Sequence, residues 1–422
     1  MENRFAGALR EAESRPGFVN LIDTNYHSCG LEPDAATLAE AFAAYLAHPD
    51  VRRYRPDSAG LPALREAIAR WYTDAGVMAD PASIIVTASA SESYRHLFTA
   101  VCGSGATVLL PQPGYPLFED VALRCGLEPR FYRLHSRDGW AVDPERIATL
   151  IDPRTRAVVL ISPNNPTGTV LDADAAVSIG ALCRGRNLAL IVDEVFSEYL
   201  FDETATAGTR GVVARGTGRQ DAARLRAGAL PRPAALCPGV PVFTINGVSK
   251  LFASPDLKVS WILLTGPTVR VSRARERLQV ENDLYLSASP LNQFAASRLF
   301  ESGLGRAAAI AEEVARRRRT MLEALEQLDA RHPRVISWRA PQGAIHLPIV
   351  FTRPPGGLDD EEIAIALLHE QGVSVHPGYL YGAEDETMIV TSYLARPEVI
   401  REGIARIEAF VSSRDRMRAA RR

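Results

Sequence analysis

The stretch Asn246-Gly247-Val248-Ser249-Lys250-Leu251-Phe252-Ala253-Ser254-Pro255-Asp256-Leu257-Lys258 contains the only two lysines of the chain, although lysine and arginine together number 48 in 422 residues. Wherever a positive charge alone suffices, this sequence uses arginine. A lysine kept against that bias points to a task a guanidinium cannot do, namely losing its proton to attack a carbonyl. Lys250 is therefore a candidate Schiff-base nucleophile, activated by its surroundings. Two surface lysines left by chance would explain scarcity alone equally well, so the neighbouring sequence has to decide.

Outward from Lys250, the stretch lies between two apolar runs, Val242–Ile245 and Val259–Leu264. Four similar runs precede them: Ile84–Thr87, Thr107–Leu110, Ala157–Ile161 and Leu188–Val192. Helical patterns around 91–102, 116–125, 143–151 and 172–185 separate these runs. Continuous apolar strands alternating with helices predict an α/β fold, a mostly parallel sheet covered on both faces. In such sheets ligands bind at the carboxyl ends of the strands. Thr204 to Pro238 breaks the alternation, being rich in Gly, Ala, Pro and Arg, and reads as a surface insertion with one short helix near 219–227. After a long helical pattern from Pro290 to Leu328, mixed strands and helices predict a smaller α+β domain. The expected division is 1–45 as an N-terminal segment joining the small domain, 46–297 as the large domain and 298–422 as the small one.

A net charge of −2 gives no reason to expect a nucleic-acid or membrane partner. Arg316 to Arg319, with Glu312 and Glu313 beside them, read as a solvated helix face. The five cysteines, 29, 102, 125, 183 and 237, show no zinc-ligand spacing and suit a reducing compartment, so a cytoplasmic location is expected. There is no run of signal-peptide or membrane-spanning character.

Four further motifs each follow a predicted strand. Ser162-Pro163-Asn164-Asn165-Pro166-Thr167-Gly168 holds an amide between prolines, able to donate to a ligand oxygen. Asp193-Glu194 ends a buried strand, where a carboxylate is costly unless it meets a cation. Ser89-Ala90-Ser91-Glu92 opens a helix and offers backbone N–H groups to an anion such as phosphate. Pro113-Gly114-Tyr115-Pro116 presents an aromatic ring on a turn. Each taken alone is a turn, a cap or a core residue.

Together, and in this order from about Asn20 to Phe410, they resemble the fold-type I pyridoxal-phosphate enzymes of the class I/II aminotransferase family. The resemblance implies pyridoxal 5′-phosphate as cofactor and a large domain built on a seven-stranded-type sheet. It gives Lys250 the imine bond to the cofactor and the proton shuttle. It places Asp193 at the pyridinium nitrogen, Asn165 at the phenolic oxygen and Tyr115 against the ring. Ala90, Ser91 and Ser249 would hold the phosphate. Tyr54 matches a tyrosine that reaches the phosphate from the neighbouring subunit, which implies a homodimer with shared active sites. The segment Thr24-Asn25-Tyr26-His27 lies where the family's substrate-facing strand would be, making Asn25 and Tyr26 candidate substrate contacts.

Three positions depart from the family pattern. Lys258 stands eight residues after Lys250, where a phosphate-binding arginine is usual, and Phe196 replaces a tyrosine three residues after Asp193. In Met388-Ile389-Val390-Thr391-Ser392, Val390 replaces the arginine that clamps a substrate carboxylate. The expected activity is transamination between an amino acid or amine and a 2-oxo acid. The alternative keeps the cofactor but changes the reaction to oxidation, replacement or carbon–carbon bond formation.

Overall fold

The computed structural model describes residues 3–47, 56–201, 230–286 and 288–420. At its centre is a seven-stranded sheet in the order β2-β8-β7-β6-β5-β3-β4. The strands are β2 (Ile84–Thr87), β3 (Thr107–Gln112), β4 (Glu128–Arg133), β5 (Thr155–Ile161), β6 (Ala189–Asp193), β7 (Val242–Gly247) and β8 (Ser260–Thr265). All neighbouring pairs are parallel except those made by β8, which runs antiparallel to both β2 and β7. The six predicted strands are all present. Strand β4, Glu-Pro-Arg-Phe-Tyr-Arg, was not predicted, because its proline and charges lack an apolar run. It lies at the sheet edge, the one place where a proline costs no ladder bond.

A second, antiparallel sheet has the order β12-β13-β10-β9, from β9 (Ile336–Ser337), β10 (His346–Phe351), β12 (His376–Pro377) and β13 (Met388–Ser392). One face, carrying Leu347, Ile349 and Ile389, packs in a core with residues of the helices Leu304–Arg331 and Pro397–Ala420. The other face, carrying Val350, Met388 and Val390, packs in a cluster with Leu109, Val158 and Leu190 of the large sheet. The period of two along each strand thus divides the small sheet between its own core and the contact with the large one. The N-terminal segment is tied to the small sheet side, since β1 (Val19–Asn20) pairs in parallel with β11 (Val373–Ser374).

Two expectations are corrected. Arg317 and Arg318 do not belong to a solvated helix face, being only 5% exposed each. Arg317 bonds Glu313 at 2.8 Å and donates to the carbonyl oxygens of Cys29 (3.0 Å) and Leu394, and the Arg318 guanidinium lies 5.0 Å from the Phe201 ring centroid. A buried guanidinium needs such partners to offset its desolvation, and sequence spacing cannot reveal carbonyls contributed by distant segments. The second concerns the insertion. Residues 202–229, with the expected helix near 219–227, lie outside the described residues, but Leu230 to Pro238 do not form a surface loop. There Leu230 and Cys237 are buried, and Arg232 forms an ion pair with Glu194, both side chains all but inaccessible. The Arg232 guanidinium lies 5.5 Å from the Trp71 ring and 5.6 Å from the Tyr72 ring.

Glu194 directly follows Asp193, so this pair anchors the end of β6. Arg232→Ala would leave a buried carboxylate without its cation and is expected to destabilise the protein by about 3–5 kcal/mol. Urea denaturation of the cofactor-free protein measures it, and a loss below about 1 kcal/mol would show that Glu194 is neutral or otherwise paired.

Candidate active site

The carboxyl ends of β5, β6 and β7 and the start of the helix after β2 surround a cavity of about 440 Å³ facing the small sheet. Lys250 sits on the short helix Val248–Leu251 immediately after β7. Its Nζ lies 5.5 Å from the Tyr26 ring centroid and 5.8 Å from that of Phe196. Burial among these rings, with no carboxylate partner among the described residues, pulls its pKa down to about 8. The Tyr199 hydroxyl donates to the Lys250 carbonyl oxygen at 2.8 Å and fixes the backbone beneath it. Gly247, before the lysine helix, has no room for a side chain, since a Cβ there would lie 2.4 Å from Ser260 Oγ.

Asp193 ends β6 and is 6% exposed. Its Oδ2 accepts from the Tyr94 hydroxyl at 2.9 Å and its Oδ1 from the Val195 N–H at 3.0 Å. Burial nevertheless pushes its pKa up to about 6, because among the described residues no cation faces it. Asn165 also lines the cavity, and its buried side-chain oxygen has no partner among the described residues. Its neighbour Asn164 is turned the other way, accepting from the Thr167 N–H (3.1 Å) and hydroxyl (2.8 Å), so the loop is held by one asparagine and leaves the other free.

Ala90 and Ser91 form the first turn of the helix Ala90–Leu97. Ser89 caps it by accepting from the Glu92 N–H at 3.1 Å, and the Glu92 carboxylate accepts from the Ala88 N–H at 2.6 Å. The N–H groups of Ala90 and Ser91 are left toward the cavity, whose wall continues through Ser249 and Lys258. Tyr115 lines the cavity with its ring 5.4 Å from that of Phe118, and Phe196 sets its ring edge-on to His346 at 6.1 Å. The structure thus brings Lys250, Asp193, Asn165, Tyr115, Phe196, Ala90, Ser91, Ser249 and Lys258 to one cavity.

Asn25 is not brought there. It is exposed, and its Oδ1 accepts from the His27 N–H at 3.1 Å, an Asx turn that spends the side chain locally. Tyr26 is buried behind Lys250 and does not line the cavity. The nearby Ile22 and Thr24 do. Tyr54 lies outside the described residues. Sequence reasoning missed Tyr94, His346, His376 and Tyr381, all of which line the cavity. Tyr94 was findable, lying one helical turn after Ala90 and Ser91, whereas His346 and His376 come from strands of the small sheet and Tyr381 from the 3-10 turn Gly378–Tyr381 between two of them, and none carries a local motif.

The family model described as aminotransferase class I and II matches residues 23–407. The chain belongs to the class I and II aminotransferases. It is 30% identical to the arginine–pyruvate transaminase of Pseudomonas aeruginosa over 83% of this chain and 80% of that one. It is 26% identical to a probable N-acetyl-LL-diaminopimelate aminotransferase of Bacillus subtilis, over 86% of this chain and 82% of that one. Among solved structures, the alanine aminotransferase of Pyrococcus furiosus has the same fold, with a TM-score of 0.83 at 23% identity, covering 98% of this chain and all (100%) of that one.

Aminotransferases of this fold use pyridoxal 5′-phosphate, and the cavity suits it. Among the described residues, an uncompensated buried carboxylate (Asp193) and a helix N-terminus beside Ser249 and Lys258 are unexplained by the protein alone, and the Asn165 amide reaches the same cavity. A protonated ring nitrogen and a phosphate would account for the first two, and a phenolic oxygen would accept from the Asn165 amide N–H.

Proposed function

We propose that this aminotransferase moves an amino group between an amino acid or amine and a 2-oxo acid, with Lys250 as its catalytic residue. The observation that carries the reading is the juxtaposition, in one cavity, of a buried lysine near pKa 8 and a buried carboxylate that lacks a cation. Bound pyridoxal phosphate supplies an electrophilic carbonyl and an electron sink. Asp193, oriented by the Tyr94 hydroxyl, would hold the positive charge of the ring nitrogen. Asn165 would donate to the phenolic oxygen, and Tyr115 would cover the ring. Ala90, Ser91, Ser249 and Lys258 bind the phosphate, Lys258 acting as a point charge in place of a bidentate guanidinium.

Lys250 Nζ would take the proton from the substrate carbon that bears the amino group, hold it, and give it to the carbon of the cofactor's former carbonyl. Because burial brings its pKa to about 8, an appreciable neutral fraction exists near neutrality, as a general base requires. Phe196 offers no hydroxyl, which leaves the phenolic oxygen to Asn165. In this reading the enzyme is a cytoplasmic homodimer whose Tyr54 serves the neighbouring subunit's phosphate.

One observation favours a second reading, a biosynthetic pyridoxal-phosphate enzyme of another reaction type. Val390 is wholly buried in an apolar cluster and gives a substrate carboxylate nothing to bind. The discriminating experiment incubates purified protein with a panel of amino donors, with and without oxygen. It follows the cofactor absorbance and the 2-oxo product, and borohydride reduction with peptide mapping locates the modified lysine. Label at Lys250 and oxygen-independent formation of the 2-oxo acid are expected. Label at Lys258 would overturn the assignment of the lysine, and oxygen consumption in place of amino transfer would favour the second reading.

A further inference from the structure

A 2-oxo acid entering a closed site brings a carboxylate, which must meet a cation or a set of donors to offset its desolvation. The described lining of the cavity contains no arginine, and its two lysines are those already committed to the cofactor. Position 390 lies on the middle strand β13, paired with Pro348 of β10 and His376 of β12. Residues directly opposite in an antiparallel ladder share a face. His376 therefore stands beside Val390 on the face turned to the large sheet. His346, two residues before Pro348 on β10 and opposite Ser392, shares it. A valine packs in the core where a guanidinium would emerge, and imidazoles flank it.

Resting on the aminotransferase reading, we propose that His376, backed by Tyr381 and flanked by His346, is the group of this site that binds the substrate carboxylate.

Three observations support it. His376 Nδ1 lies 2.9 Å from the Tyr381 hydroxyl, which can donate to a neutral ring or accept from a charged one. His346 is 5% exposed and its Nδ1 is buried with no hydrogen-bond partner, a polar atom left unsatisfied in the cavity wall. Both rings are neutral in the absence of an anion. Burial pulls His376 down to about 4, and burial together with Lys250 and His376 pulls His346 down to about 3.

The groups around His376 leave it free to answer to a ligand. The helix Arg4–Glu13 presents the Phe5 ring edge-on at 6.1 Å. On the helix Asp360–Ala366, Asp360 accepts from the Tyr379 N–H (2.7 Å) and Glu361 from the Tyr379 hydroxyl (3.3 Å). Lys250 acts on His346, and no described carboxylate pairs with either imidazole. An arriving carboxylate is then the missing counter-charge, and it brings a proton onto His376, which Tyr381 stabilises by accepting from Nδ1–H. A guanidinium would bind the same anion with no proton uptake.

The sign follows from the free ring's low pKa and its rise in the anion complex. Between the two values affinity for a carboxylate falls tenfold for each unit of pH increase. The test titrates holoenzyme with propionate, an unreactive carboxylate, and with neutral propionamide, by calorimetry in two buffers of different ionisation heat between about pH 5.5 and 7.5. Propionate is expected to bind with uptake of close to one proton, its Kd rising about tenfold per pH unit, and propionamide with none. His376→Gln should weaken propionate at the acid end by about tenfold or more and abolish the uptake, and Tyr381→Phe should reduce both less. A pH-independent Kd without proton uptake overturns the proposal, as do unchanged uptake in His376→Gln, binding of propionamide alone, or binding of neither. Failure of the transamination reading is separable, since it appears as absent 2-oxo product while the propionate titration is retained.

Discussion

Lys250→Arg is expected to lower kcat/KM by at least about 10⁴-fold, roughly 5 kcal/mol of transition-state stabilisation, although it preserves the charge and most of the volume. A guanidinium neither forms the imine nor returns a proton near neutrality. Single-turnover conversion of an amino donor, followed by absorbance, measures the loss, and circular dichroism checks that the fold persists. A variant retaining more than about one hundredth of the activity would move the chemistry to another group.

Asp193→Asn is expected to have two effects of opposite sense. Activity should fall by about 10²-fold or more, because a neutral amide does not hold the ring nitrogen charged. The cofactor-free protein should become more stable. The sign follows from an aspartate whose pKa rises from 3.8 to about 6 on folding. The folded state then binds more protons than the unfolded one between those values, so stability is lost as pH rises through that window and stays lost above it. The cost is about 3 kcal/mol near pH 7, and the amide removes it. Denaturant melts of the cofactor-free proteins near pH 7 and below about pH 4 read the difference, which should vanish at the acid end. An Asp193→Asn protein no more stable than the parent near neutrality would mean that a cation faces the carboxylate after all.

In the proposed reading, function and stability pull apart at the residues that would face the cofactor. Burial makes the charged forms of Lys250 and Asp193 costly. Arg232 and Glu194, one residue beyond Asp193, show the contrasting case of buried charges that pair with each other. The first two await a ligand and the second two do not.

The large domain was legible because its signals are local. A strand buried on both faces must be a continuous apolar run, and β2, β3, β5, β6, β7 and β8 each are. Lys250, Asp193, Asn165, Tyr115 and the Ala90–Ser91 turn each follow such a strand, so chain order alone placed them at one end of the sheet. The place at Val390 was marked only by the resemblance to the family, whose arginine stands two residues before a serine. What the amino-acid order could not supply was any fact that depends on two distant segments meeting. Edge strand β4 is specified by its neighbour β3 and not by its own apolarity, and Arg317 is buried because Cys29 and Leu394 turn carbonyls toward it. Asn25 was a reasonable substrate contact until the turn with His27 consumed its side chain, leaving Thr24 to face the cavity. Likewise nothing in the separate segments around His346, His376 and Tyr381 relates them to Lys250 or to position 390. Only pairing β10 and β12 across β13, and laying that face against the large sheet, puts two neutral imidazoles where a guanidinium is missing.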